Sequence, residues 1–142
     1  MIVPMGSIVI YTDGGARGNP GPAGAGVVIL KDGTVIAEVK KYLGDKLTNN
    51  WAEYEALIIA LNEAKKIGLS GEHIEIRMDS ELIVKQMKRE YKVKDAGLKE
   101  QNAKVWSLLD EDFSIVRFVH VRRGENSAAD ALVNEALDEA AQ

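Results

Sequence analysis

Residues 6–15, Gly6-Ser7-Ile8-Val9-Ile10-Tyr11-Thr12-Asp13-Gly14-Gly15, set a β-branched apolar run against an abrupt aspartate and two glycines. The run from Gly6 to Tyr11 reads as a strand, because branched and aromatic side chains suit a pleated surface. It is expected to end at Asp13-Gly14-Gly15, in a glycine- and proline-rich turn that continues through Gly24. A second strand follows at about Ala25 to Leu30. Asp32-Gly33 is a hairpin signal, so Thr34 to Tyr42 forms a third strand, antiparallel to the second.

Beyond the hairpin the hydrophobic period changes from two to about 3.6. Trp51, Tyr54, Leu57, Ile58, Leu61 and Ala64 share one face of a helix running from Asn49 to Ile67, and Gly68 closes it. Ile74 to Met78 is a short strand. Asp79-Ser80 leads into a second helix with Leu82, Ile83 and Met87 that fades near Tyr91. A third helix covers Ala96 to Leu109, a strand Ser114 to Val121, and Ser127 opens a last helix with Ala129, Leu132, Val133, Ala136 and Leu137. The order β-β-β-α-β-α-α-β-α predicts an α/β fold. It is a mixed five-stranded sheet, three antiparallel strands first, with helices on both faces.

The 142 residues suit a single domain spanning 1–142. With no apolar run of about 18 residues and no signal-peptide pattern, the chain is expected to be soluble and cytoplasmic, with no membrane role. No obligatory protein partner is evident, and a monomer is expected. The absence of cysteine excludes disulfides and thiolate chemistry, and only two histidines are present, so any metal must sit on oxygen ligands. A formal charge of -4 is the wrong sign for drawing in phosphates through the whole-protein field. A nucleic-acid role therefore needs local devices.

Four acids stand at element ends. Asp13 and Asp79 close strands, whereas Glu53 and Asp130 lie in the first turns of helices that begin at a sheet edge. Each has a plain structural alternative: Asp13 and Asp79 as turn residues, Glu53 and Asp130 as acidic members of capping boxes begun by Asn50 and Ser127. Taken together, they can converge at one end of the sheet. Clustered carboxylates repel, and a cation or a raised pKa relieves them. All-oxygen ligation suits Mg²⁺ or Mn²⁺.

The turn Gly14-Gly15-Ala16-Arg17-Gly18-Asn19-Pro20-Gly21-Pro22 matches neither a dinucleotide fingerprint nor a P-loop. Thr48-Asn49-Asn50 precedes the long helix, where free amides favour an anion and where simple N-capping is the alternative. Arg122-Arg123 follows the last strand beside the expected acidic cluster, with a solvated basic pair as its alternative. Lys85, Lys88, Arg89, Lys92 and Lys94 read as an exposed helix face.

Tyr11-Thr12-Asp13-Gly14-Gly15, Gly18-Asn19-Pro20-Gly21-Pro22, Thr48-Asn49-Asn50-x-x-Glu53, Met78-Asp79-Ser80 and Asn126-x-x-Ala129-Asp130 together resemble the type 1 ribonuclease H family over about residues 7 to 140. The resemblance implies a metal-dependent endonuclease that hydrolyses the RNA strand of RNA/DNA hybrids and leaves 5′-phosphate and 3′-hydroxyl ends. It implies two Mg²⁺ ions, with Mn²⁺ as a substitute, at Asp13, Glu53, Asp79 and Asp130. Asp13 would bridge both ions, Glu53 and Asp79 would hold the one on the leaving-group side, and Asp130 the one that activates water. Asn19, Asn49, Asn50 and Glu53 match positions that contact ribose 2′-hydroxyls, and Thr48 matches part of a pocket for a phosphate of the DNA strand.

Two departures stand out. The family's loop histidine before the last helix is missing, and Arg123 resembles its replacement in a shorter-loop subgroup. The tryptophan-rich basic protrusion of some relatives is also missing, since Glu90 to Gln101 is short with Tyr91 its only aromatic. Whether double-stranded RNA is also cut stays open at this level. Rival readings are a catalytically silent hybrid-binding module and another nuclease or phosphotransferase on the same fold.

Overall fold

Small residues on adjoining strands let the centre of the sheet run longer than its apolar pattern suggests. The computed structural model describes residues 7–142, so Gly6 lies outside the described residues. β1 (Ile8–Ala16) is antiparallel to β2 (Gly21–Lys31), which is antiparallel to β3 (Thr34–Leu47). The β2–β3 hairpin has positive φ at Asp32 and Gly33, 52° and 82°, as a tight two-residue turn requires. After α1 (Asn49–Lys66), β4 (His73–Met78) pairs in parallel with the other edge of β1. α2 (Glu81–Met87) and α3 (Ala96–Asp112) lead to β5 (Ile115–His120), parallel to β4. One 3₁₀ turn, Arg123–Asn126, precedes α4 (Ser127–Ala140). The strand order is β3-β2-β1-β4-β5, the mixed sheet expected from the sequence.

Side chains alternate along β1, so Ile8, Ile10, Thr12 and Gly14 share one face while Tyr11, Asp13 and Gly15 share the other. On the first face Ile8, Ile10, Val27, Ile29, Ile76 and Met78 pack with Tyr54, Leu57 and Leu61 of α1 and Ile83 of α2 to make the core. The Tyr54 hydroxyl donates to Gln86 Oε1 at 2.7 Å and accepts from Asn102 Nδ2 at 3.2 Å, tying α1, α2 and α3 together. α4 lies on the opposite face. A Cβ at Gly26 would sit 2.2 Å from the Ala129 carbonyl oxygen, and one at Gly24 would sit 3.2 Å from that of Val133. Among the described residues no helix is long and apolar enough to cross a membrane.

Four boundaries differ from expectation. Gly14, Gly15 and Ala16 are strand, paired with Ala25, Gly24 and Ala23, so the turn shrinks to Arg17–Pro20, where Arg17 N donates to Pro22 O at 2.8 Å. Asp13 therefore lies inside β1 and not at its end. β3 continues to Leu47, since β2 keeps pairing through Gly21↔Leu47 despite register shifts. α2 stops at Met87, where Arg89 turns left-handed at φ 63° and Glu90 N donates back to Lys85 O at 2.9 Å. α3 runs on to Asp112 because Phe113 N still donates to Leu109 O at 3.0 Å.

Gly14→Ala would drive a methyl to 2.1 Å from the Ala52 carbonyl, and Gly26→Ala has the same conflict with Ala129. Each is expected to destabilise by about 1–3 kcal/mol or more through overpacking. Gly124→Ala, with nothing within 4 Å of the new methyl, should stay within about 0.5 kcal/mol. Urea unfolding midpoints check all three.

Candidate active site

Asp13 projects from the middle of the sheet on the α4 face, directly across the ladder from Gly26. Gly14 beside it faces α1, and having no side chain it lets the first turns of that helix rest on the strand. Glu53 is delivered there, and its Oε1 accepts the Gly14 N–H at 2.8 Å. That contact decides the local role of Glu53. The helix is capped by Thr48, whose Oγ1 accepts from Trp51 N at 3.2 Å, and the Glu53 carboxylate is spent on β1 instead. Asp79 follows β4 directly, and Ser80 caps α2 by accepting from Ile83 N at 3.3 Å. The capping box once conceivable for Ser127 and Asp130 does not form: Asn126 occupies the cap position of α4 and makes no side-chain cap bond.

One carboxylate oxygen from each of Asp13, Glu53 and Asp79 lies within 4.8 Å of the others. Asp130 joins from α4, close enough to Asp13 to help raise its carboxyl, and its Oδ1 lies 4.0 Å from Arg123 Nη2. A cavity of about 500 Å³ is lined by all four acids together with Arg17, Asn49, Arg123 and Asn134. Burial pushes the Asp13 carboxyl up to about 8, helped by the Asp79 and Asp130 charges and opposed by Arg123. Burial also raises Glu53 well above the usual carboxylate range, with Asp13 and Asp79 adding to it and the Gly14 N–H opposing. Asp79 is raised by burial too, against a hydrogen bond from Asn126 and the Arg123 charge. Hard oxygen donors that resist carrying their charges together are the donor chemistry of a divalent cation such as Mg²⁺ or Mn²⁺.

The remaining expected residues divide between two pockets. Asn49 lines the carboxylate cavity, whereas Asn19, Thr48 and Asn50 line a second pocket with Lys46 and Trp51. Hydrogen bonds couple them: Asn49 N donates to Asn19 Oδ1 at 3.0 Å, and Ala16 N donates to Asn49 Oδ1 at 2.8 Å. Three residues of the site were missed among the candidates. Asn126, only 1% exposed, donates from Nδ2 to Thr12 O at 2.8 Å and bonds Asp79, clamping the start of α4 onto β1 and β4. Arg17 and Asn134 line the cavity itself. Asn134 was findable, because it follows Asp130 by one helical turn and so shares its face.

Residues 11–136 match the family model described as reverse transcriptase-like. The fold overlays LC11-RNase H1, solved in complex with an RNA/DNA hybrid, with a TM-score of 0.92 at 51% identity over 95% of this chain and 99% of that one. The chain belongs to the type 1 ribonuclease H family. Ribonuclease HI of Halobacterium salinarum is 44% identical over 138 residues, covering 95% of this chain and 66% of that protein. A bifunctional protein of Mycobacterium tuberculosis is 42% identical over 137 residues, 95% of this chain and 36% of that protein. The chain thus spans about a third of the length of this mycobacterial relative.

The raised Asp13 carboxyl sets a sign for stability. Without metal, the folded state keeps a proton that the unfolded chain releases above its ordinary value of 3.8, so stability falls as pH rises from about 4 toward 8. In EDTA the melting temperature is expected to rise on going from pH 8 to pH 6. Mg²⁺ should restore it at pH 8, and Asp13→Asn should flatten the profile and melt at least about 2–4 °C higher than wild type at pH 8. Differential scanning calorimetry across this pH range is the check.

Proposed function

We propose that the chain is an endoribonuclease that hydrolyses the RNA strand of RNA/DNA hybrids, giving 5′-phosphate and 3′-hydroxyl ends. The observation that carries this reading is the convergence of Asp13, Glu53 and Asp79 oxygens within 4.8 Å, with Asp130 beside them in one open cavity. The hybrid held by LC11-RNase H1 supports the substrate class. The donor set fits two divalent ions, Mg²⁺ with Mn²⁺ as a substitute: Asp13 would serve both, Glu53 and Asp79 one, and Asp130 the other. When bound, such ions supply a nucleophilic water near neutral pH and offset charge at the phosphate.

The protein's own groups do the rest. The Gly14 N–H favours the ionised form of Glu53 and fixes where its carboxylate points. Asn19 and Asn49 have their amide oxygens committed to backbone N–H groups, which leaves each NH₂ as a donor toward ribose hydroxyls. Deoxyribose lacks that hydroxyl, so these donors favour RNA, Asn49 from within the carboxylate cavity and Asn19 from the adjoining pocket. Thr48 accepts from Trp51 N, leaving its O–H to donate, and with Lys46 at the positive end of α1 it fits a phosphate of the DNA strand, while Asn50 in the same pocket is a further donor toward a ribose hydroxyl. Arg123 cannot act as a base; its charge beside Asp130 fits stabilisation of the phosphate or the departing oxyanion. The one-turn loop Arg123–Asn126 fits the subgroup without a loop histidine, and we read the chain as a cytoplasmic monomer.

Strand-labelled hybrid, RNA duplex and DNA duplex, each with Mg²⁺ or Mn²⁺, test the reading. Metal-dependent cuts confined to RNA are expected, strongest in the hybrid, and cleavage of the RNA duplex would widen the substrate range. Asp13→Asn should retain hybrid binding and lose nearly all cleavage; half the wild-type rate would contradict the assignment. Arg123→Ala is expected to lower turnover by a factor of roughly tens to a thousand with little change in hybrid affinity.

A further inference from the structure

Asp130 is half-buried, with its side chain 34% exposed. Its two oxygens meet different neighbours. Oδ1 faces Arg123, whose side chain is 84% exposed, at 4.0 Å. Oδ2 accepts from Asn134 Nδ2 at 3.4 Å, and the same Nδ2 donates to the Asp130 carbonyl at 3.1 Å. Asn134 Oδ1 in turn accepts from Arg17 Nη2 at 3.2 Å, while Arg17 Nη1 pairs with Asp138 Oδ1 at 2.7 Å. Asp138, Arg17, Asn134 and Asp130 therefore form a line. Three of its members come from successive turns of α4 and one from the β1–β2 turn.

The chemistry of the line is directional. A carboxamide has one accepting and one donating end, and a guanidinium only donates. Arg17 can therefore bond only the Asn134 oxygen, which turns the NH₂ toward Asp130. Without Arg17 nothing on that side selects this orientation, and a flipped amide would set its oxygen against the Asp130 carboxylate. The Arg17–Asp138 pair is 45% and 65% exposed, too solvated to add much stability. Its effect is geometric: it holds the guanidinium at Asn134.

We propose that Arg17 and Asn134 are positioning residues of the metal site: Arg17, anchored on Asp138, orients the Asn134 amide, and the amide holds the Asp130 carboxylate for a divalent cation. This rests on reading the four acids as a cation site. Partners that orient metal ligands are commonly worth 10–100-fold in metal affinity or activity, and their deletion leaves the ligand present but loosely aimed.

The test uses Arg17→Ala, Arg17→Lys, Asn134→Ala and the Arg17→Ala/Asn134→Ala double variant, with two readouts. One is the rise in melting temperature on titration with Mg²⁺ or Mn²⁺, which needs no turnover. The other is the metal concentration giving half-maximal cleavage of a hybrid. Each alanine variant is expected to need about 10-fold more metal in both, with its metal-free melting temperature and its hybrid affinity in EDTA unchanged. Arg17→Lys should recover part of the loss, and the double variant should be no worse than Asn134→Ala, because Arg17 acts through Asn134. The proposal is overturned if the metal requirement stays at the wild-type value, if Arg17→Ala weakens hybrid binding instead, or if the two losses add. A wild-type chain with no melting response to metal and no cleavage would sink the underlying cation-site reading itself; a normal wild-type response with variants that keep the wild-type metal requirement sinks only the positioning pair.

Discussion

Two backbone contacts, one on each face of the sheet, at Gly14 of β1 and Gly26 of β2, determine where two of the four acids stand. At Gly14 the strand meets the Ala52 carbonyl so closely that a Cβ would lie 2.1 Å from it, and at Gly26 a Cβ would lie 2.2 Å from the Ala129 carbonyl. α1 and α4 therefore approach the sheet at distances only glycine permits. Glu53 and Asp130, each one residue beyond those carbonyls, arrive at Asp13 from opposite sides. Asp79 needs no such device, because parallel pairing of β1 with β4 places it next to Asp13. The site is thus a consequence of how closely two helices pack on one sheet.

That packing gathers negative charge in a partly dry place, and the fold accepts the repulsion. Burial raises Asp13, Glu53 and Asp79 together, so without a cation the cluster holds protons that isolated carboxylates would have released. The compensation is local. Gly14 N–H supports Glu53, Asn126 supports Asp79, and Arg123 and Asn134 flank Asp130. A net charge of -4 is then compatible with the proposed phosphate substrate, since divalent ions bound at the cluster would reverse the local field. The same balance separates stability from the proposed function: removing a charge from the cluster relieves repulsion among the acids and takes away a donor that a divalent cation would need.

Much of this was legible in the chain. The branched run before Asp13, the Asp32-Gly33 hairpin and the helical stripe from Trp51 to Ala64 were enough for the element order and the mixed sheet, because burial imposes those periods directly. The five ordered motifs brought the four acids together in expectation. The end of β1 was misplaced because Gly14, Gly15 and Ala16 read locally as a turn. Only the pairing with Ala23, Gly24 and Ala25 makes them strand, and the turn preference of each residue by itself does not report that pairing. The bonds of Asn126 and the line from Asp138 through Arg17 to Asn134 were invisible for a related reason. Isolated polar side chains carry no periodic signature, and some of their partners lie more than 100 residues away, 117 for Arg17 and Asn134. The separation of Asn49 from Asn19, Thr48 and Asn50 into two pockets likewise depends on which way each amide turns at the start of α1.

If the four acids hold a divalent cation, its binding must displace the proton that burial keeps on Asp13. Calorimetric titration with Mg²⁺ at neutral pH, repeated in two buffers of different ionisation enthalpy, measures the protons released on binding. With the Asp13 carboxyl at about 8, Mg²⁺ binding should expel a proton, and both the binding heat and the release should collapse in Asp13→Asn. Binding without proton release, or binding that Asp13→Asn leaves intact, would contradict it.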